Sequence, residues 1–342
     1  MGNWLARALA RRPGKGRRGV IALWALPVLF AVWLLFHLPQ IQAAFSEMFG
    51  RYMVRDFIRR ALLVGGLVSL CAALLGVSLV LKNYAMIGDG LSHVGFGALT
   101  VAMALGYVTD DALPRILPAG LRGGLAVLCR GIAGNPLTFT LVVVVLCAFF
   151  LLRISEHSRM RGDSAIALVS TTALAVGVIV TSMTRGMNVD VNNYMFGSIT
   201  VLSNSDVILS VSLSAVVLVL FLLFYPRIFA VTFDEAFARA TGMKTGLYNM
   251  LIAMLTAVTV VVGMRMMGTL LISSLIIFPA LSSMRVFSHF RSVTISSAII
   301  SVSCFFIGMM LSCVYKMPTG AGIVIVNLAV FMIFCAIGAA RE

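Results

Sequence analysis

Stretches of nearly uncharged residues recur along the whole 342-residue chain. Many approach the roughly 20 residues that carry a helix across a bilayer at about 1.5 Å per residue. In lipid every backbone N–H and C=O must be satisfied within the protein, so such runs fold as helices or as a closed barrel. A barrel needs apolar and polar residues in alternation, and runs such as 141–152 do not alternate. A soluble fold is excluded on other grounds. Only 11% of residues are Asp, Glu, Lys or Arg and 61% are hydrophobic, against about 25% charged in soluble domains. The expected class is all-α, a polytopic transmembrane helical bundle of about nine or ten spans. Hydropathy and punctuation place them near 20–38, 57–81, 86–107, 136–153, 164–183, 207–224, 246–264, 268–283, 293–314 and 320–338.

The net charge of +14 would suggest nucleic acid in a soluble protein. Here the basic residues lie singly or in short groups between apolar spans, so membrane lipid is the expected partner and nucleic acid is not. Arg7, Arg11, Arg12, Lys15, Arg17 and Arg18 precede the first span and hold the N-terminus in the cytoplasm by the positive-inside tendency. Ten crossings then return the C-terminus to the cytoplasm, with Arg51, Arg55, Arg59 and Arg60 outside. The apolar run at 20–38 is longer than a secretory signal core, and a retained anchor is favoured over cleavage near Ala43-Ala44. Residues 1–56 thus read as a basic segment with an extra anchor helix and an external linker, and 57–342 as the main transmembrane domain. Two stretches, 108–135 and 184–206, read as external, the second with a short surface or dipping helix. Asn135 before Pro136 fits an N-cap with proline at the first helical position. The six cysteines show no C-x-x-C spacing and read as small apolar fillers.

One histidine, His93, lies well inside a span, in Gly88-Asp89-Gly90-Leu91-Ser92-His93. Four residues separate it from Asp89, so carboxylate and imidazole project from one helix face about a turn apart. An acid within a span is costly and normally faces a bundle interior or a watery path. One oxygen and one nitrogen ligand suit zinc, manganese or ferrous iron better than calcium or magnesium. The competing account has Asp89 capping the helix start near Ser92 while His93 bonds to a neighbouring helix. Gly95 and Gly97, just beyond, permit close helix approach or a kink.

This motif resembles the "GDxLSH" signature of metal-ion ABC transporter permeases, the zinc and manganese import branch. The resemblance continues through Arg161-Gly162-Asp163-Ser164-Ala165-Ile166-Ala167, through Val189-Asp190 with Tyr194-Met195-Phe196-Gly197, through Gly268-Thr269-Leu270-Leu271 to Pro279-Ala280, and through Met317-Pro318-Thr319-Gly320. It covers roughly 57–338 and leaves the N-terminal anchor as an addition. Phe96-Gly97-Ala98 stands where many members carry Leu-Pro-Gly, and Ser282-Ser283 replaces alanine-type positions. The resemblance implies that Asp89 and His93 coordinate metal along a translocation path. It implies an ATP-driven importer of a divalent transition metal, zinc foremost, with manganese or iron as further candidates. It also implies a homodimer in the cell membrane, a cytoplasmic ATP-binding subunit, and an extracytoplasmic metal-binding protein or lipoprotein that delivers the ion. No permanently bound cofactor is expected, since zinc or manganese is cargo.

Between two spans, Thr232-Phe233-Asp234-Glu235-Ala236-Phe237-Ala238-Arg239-Ala240-Thr241-Gly242 predicts a short helix. Thr232 and Glu235 have capping-box spacing and Gly242 is a natural stop. Read from its residues, it is an amphipathic helix resting on the membrane surface. Read by resemblance, it is the helix that docks on the ATPase, with Thr232, Phe233, Asp234, Glu235, Phe237, Arg239 and Gly242 forming the contact. The chain is expected not to be an enzyme. Gly14-Lys15-Gly16 lacks the spacing of a phosphate loop, and H-E-x-x-H is absent. An intramembrane aspartyl protease would need a second deep carboxylate, which the spans do not offer. Met264-Arg265-Met266-Met267 reads as packing rather than as a soft-metal station. A permease for a metal chelate such as a siderophore, haem or cobalamin, and an ion-coupled secondary transporter, remain as alternatives.

Overall fold

In a computed structural model, residues 56–105, 131–132, 134, 136–157, 162–184, 204–315 and 317–339 are described. They form helices α1 (Asp56–Leu81), α2 (Ile87–Leu105), α3 (Pro136–His157), α4 (Gly162–Met183), α5 (Asn204–Leu223), α6 (Tyr225–Phe233), α7 (Glu235–Ala240), α8 (Thr245–Met267), α9 (Thr269–Val286), α10 (Phe290–Tyr315) and α11 (Thr319–Ala339). No strand occurs among the described residues. The all-α class is therefore as the apolar runs dictate, and each expected span from 57 onward coincides with a helix. Pro136 opens α3 as its position foretold. The anchor at 20–38, with His37, lies outside the described residues, as do Arg161, Val189, Asp190 and 194–197.

Length and composition qualify fewer of these helices as crossings than the nine or ten expected. Among the described residues six are long and apolar enough, or seven if α5 and α6 are one broken span bent by 68°. α2 is not among the six, because Asp89, His93 and its glycines dilute its apolar character, and the apolar part of α3, Pro136–Leu151, is short. The break after α5 has a local cause: Pro226 stands in the first turn of α6, and a proline there can neither donate to nor pack against a continuing helix.

α1 is the central post. It packs on α5, α8, α9 and α10, and 72% of its most apolar stretch is buried. α4 is peripheral, with only 17% of its stretch buried, so most of its apolar surface faces outward. Small residues let the inner helices touch backbone to backbone, as in membrane bundles generally. A Cβ at Gly76 of α1 would lie 2.0 Å from the Ile276 carbonyl oxygen of α9, and one at Gly97 of α2 would lie 2.6 Å from the Ala173 carbonyl oxygen of α4. Gly97 thus serves close approach, and α2 runs unbroken through it. Ser282 and Ser283 are buried and return their hydroxyl protons to the Phe278 and Pro279 carbonyls of their own helix.

The turn between α1 and α2 fixes where α2 begins. The Tyr84 N–H donates to the Leu79 carbonyl and the Ile87 N–H to the Tyr84 carbonyl, with Asn83 at φ 60° between them. This tight reversal sends α2 back through the bundle, where it packs on α4, α3, α9 and α8. Gly88 of α2 and Gly76 of α1 both lie against Ile276, the eighth residue of the 18-residue α9. α2 therefore starts level with a point five residues inside the end of α1, about 8 Å into the bundle.

Gly97→Val is expected to destabilise the protein by about 1–3 kcal/mol, because the Ala173 carbonyl is backbone and cannot yield. Thermal unfolding in detergent measures this, and an unchanged midpoint would show that α2 and α4 are not packed at this distance.

Candidate functional site

Because α2 begins inside the bundle, its first two turns carry Asp89 and His93 alongside the first half of α9, where Ser273 is the fifth of 18 residues. The Asp89 Oδ2 and His93 Nε2 are 3.6 Å apart, with side-chain exposures of 38% and 18%. That separation is too long for a good hydrogen bond, yet it suits a shared ion. Two ligands each about 2.0–2.2 Å from zinc in tetrahedral geometry stand about 3.3 Å apart, so a few tenths of an ångström of closure would let both touch one cation. The partial exposure of both side chains gives such an ion a way in.

The other oxygen of the carboxylate is held across the bundle. Ser273 Oγ on α9 donates to Asp89 Oδ1 at 3.1 Å and also lies 3.0 Å from the Thr269 carbonyl. Asp89 is thus oriented by α9 and by His93, and the Ser92 hydroxyl goes to the Asp89 backbone carbonyl at 2.7 Å. The arrangement departs from a helix cap, since both carboxylate oxygens look to side chains. Among the described residues no three His, Cys, Asp or Glu gather to hold a metal. The pair offers two strong ligands with the Ser273 hydroxyl beside them. Met264 and Met267 are buried, Met264 against Gly95, as packing requires.

At the end of the bundle to which α1 runs, the segment expected as one helix over 232–242 is instead broken. α6 ends at Phe233 and α7 begins at Glu235, with Asp234 extended between them at φ −145° and ψ 94°. Asp234 is the N-cap, its carboxylate accepting the Phe237 N–H at 2.9 Å. Thr232 is therefore not the cap, and the capping-box expectation fails. Thr232 lies within α6, buried, its hydroxyl with no hydrogen-bond partner among the described residues. An ionised oxygen one residue before the helix caps at least as well as threonine, and Asp234 wins the position. Gly242 stops α7 as expected. At φ +84° it is in the left-handed region that glycine adopts freely, and it lets the Met243 N–H reach the Ala238 carbonyl at 3.0 Å.

Phe233 and Phe237 stand 65% and 66% exposed, a cost in water that a partner surface would remove. Phe229 and Phe233 stack with ring centroids 5.8 Å apart, and Phe229 meets Phe290 at 5.0 Å. Beneath α7 lies a polar knot whose other members the sequence did not reveal. Glu235 accepts from Lys82 Nζ at 3.2 Å, from Arg239 at 3.0 Å and from Asn249 Nδ2 at 3.3 Å, and Lys82 also donates to Asn249 Oδ1. Arg239 further reaches the Thr245 hydroxyl at 3.4 Å. Burial by itself would raise the Glu235 carboxyl, but the charge of the Lys82 ammonium and hydrogen bonds from Lys82, Asn249 and Arg239 outweigh it and hold the group below its ordinary value.

The chain as a whole is similar to known membrane transport proteins. The profile of the ABC 3 transport family matches residues 54–338. The manganese transport system membrane protein MntC of Halalkalibacterium halodurans is 24% identical, with 83% of this chain and 88% of that protein covered. The high-affinity zinc uptake system membrane protein ZnuB of Haemophilus influenzae is 25% identical, with 80% and 94% covered. Among solved structures, PsaBC from Streptococcus pneumoniae in complex with Fab has the same fold, with a TM-score of 0.67 at 22% identity over 86% of this chain and 95% of that one.

The depressed Glu235 carboxyl has a sign that can be checked. Its stabilising contribution is complete above the ordinary value of 4.5 and is lost as pH falls through the lower, folded value. Glu235→Gln should melt below the wild type at neutral pH, and the gap should close as pH drops below 4.5; a gap independent of pH would show that the ionised carboxylate contributes nothing.

Proposed function

The chain belongs to the ABC 3 transport family, and from that premise we propose that it is the permease subunit of an ATP-driven importer of a divalent transition metal. Zinc is the favoured cargo, with manganese and iron next. The observation that carries this reading is the Asp89–His93 pair, 3.6 Å apart and partly exposed, inside an apolar bundle. A carboxylate and an imidazole together match borderline cations, and a shell of only two strong side-chain ligands holds an ion without trapping it. The curated relatives named for manganese and zinc transport support the same cargo class.

In this reading two copies assemble in the cell membrane with their termini in the cytoplasm, and the ion passes at the interface between them. A separate cytoplasmic subunit hydrolyses ATP, and an extracytoplasmic metal-binding protein presents the ion to the outer mouth. Alternating access exposes Asp89 and His93 first to one side and then to the other. α7, with Phe233 and Phe237 displayed at its edge, is the surface on which the ATPase docks. The aromatic pair fits a groove of a partner, and the Asp234 cap and Gly242 stop keep the helix short and rigid there.

Two experiments test these roles. Asp89→Ala and His93→Ala should each cut metal uptake by about 100-fold or more, and Ser273→Ala, which frees one carboxylate oxygen, by about 10-fold. Uptake in cells lacking other importers is the measurement, and undiminished uptake in both ligand variants would end the assignment. Phe233→Ala with Phe237→Ala should release the ATPase during purification while leaving the amount of permease in the membrane unchanged. Retention of the ATPase would move the docking surface elsewhere.

A further inference from the structure

Glu235 and the start of α2 are joined by one side chain. Lys82 is the first residue after α1, and the turn it opens leads into α2 five residues later, with Asp89 two residues further on. Its ammonium is 9% exposed and bonds to Glu235 at 3.2 Å and to Asn249. The Lys82 N–H also donates to the Ser78 carbonyl at 3.1 Å, which ties its backbone to the last turn of α1. The segment is short, reverses through a residue at positive φ and is closed by backbone hydrogen bonds, so it transmits displacement rather than absorbing it. Glu235 lies two residues from the exposed Phe237 on a six-residue helix, which moves as a unit.

We propose that Lys82 and Glu235 are a positioning pair that links movement of α7 to the seating of α2, and through it to the spacing of Asp89 and His93. The inference rests on the permease reading above and adds the route by which the docking helix reaches the ion pair. Two properties favour this over a purely structural tie. The lysine side chain is 9% exposed and that of its partner 36%, so displacing α7 would break an ion pair at a mostly buried ammonium, a cost that shifting the turn along with α7 avoids. Asn249 of α8 bonds to both charged groups and provides a fixed reference against which the pair can shift.

The test uses the complete transporter, permease with its ATPase and binding protein, reconstituted in lipid vesicles, with zinc uptake and ATP hydrolysis measured on the same preparation. In Lys82→Met the zinc moved per ATP hydrolysed should fall by about tenfold while hydrolysis continues. Lys82→Arg should restore the ratio, and the exchange Lys82→Glu with Glu235→Lys should recover part of it. A structural tie alone would lower uptake and hydrolysis together, with the ratio intact, and that result overturns the proposal. So does a wild-type ratio in Lys82→Met. Should Lys82→Met fail to reach the membrane, Glu235→Gln carries the same expectation and the same refutation. A wild-type complex with no ATP-dependent zinc, manganese or iron uptake would overturn the permease reading and this inference with it, whereas ATP-driven uptake with an unaltered ratio in the variants overturns the inference alone.

Discussion

An ionised carboxylate inside an apolar bundle is expensive unless its charge is met at close range, and the placement of Asp89 organises the helices around it. His93 meets one oxygen from a turn away and Ser273 meets the other from α9. That convergence requires α2 and α9 to lie close, which in turn requires small residues where backbones cross. Gly97 of α2 against α4 and Gly76 of α1 against α9 supply the room at their crossings.

Much of this was legible in the residues. Apolar runs marked every described helix that spans the bundle, and the four-residue spacing of Asp89 and His93 fixed their common face. Other features were beyond local inspection. Ser273 lies 184 positions from Asp89, and Lys82 lies 153 from Glu235; no periodicity connects such partners, and serine and lysine are too common to stand out. The Thr232 cap failed for a different reason. α6 runs on through Thr232 to Phe233, so the next helix starts only at Glu235, with Asp234 as its cap. Among the described residues, apolar length alone passes over α2, which carries the polar residues of the candidate site, and α3, whose apolar part is short.

The two candidate surfaces differ in how they use exposure. Around Asp89 and His93 exposure is partial and polar, suited to an ion that sheds water as it enters. Around Phe233 and Phe237 it is large and aromatic, suited to a protein partner. The knot beneath α7 separates them, its one carboxylate meeting both Lys82 and Arg239 at the edge of an oily bundle.

The recessed beginning of α2 has an electrostatic corollary. The opening turns of a helix concentrate the partial positive charge of their amide groups, and here that end points into the bundle beside Asp89. It steadies the bare carboxylate, but it opposes any cation that settles there, by about 0.3–1 kcal/mol and up to about 2 kcal/mol where solvent is scarce. The same backbone that steadies the acid would therefore weaken its hold on a bound cation by up to about thirtyfold, a bias toward release.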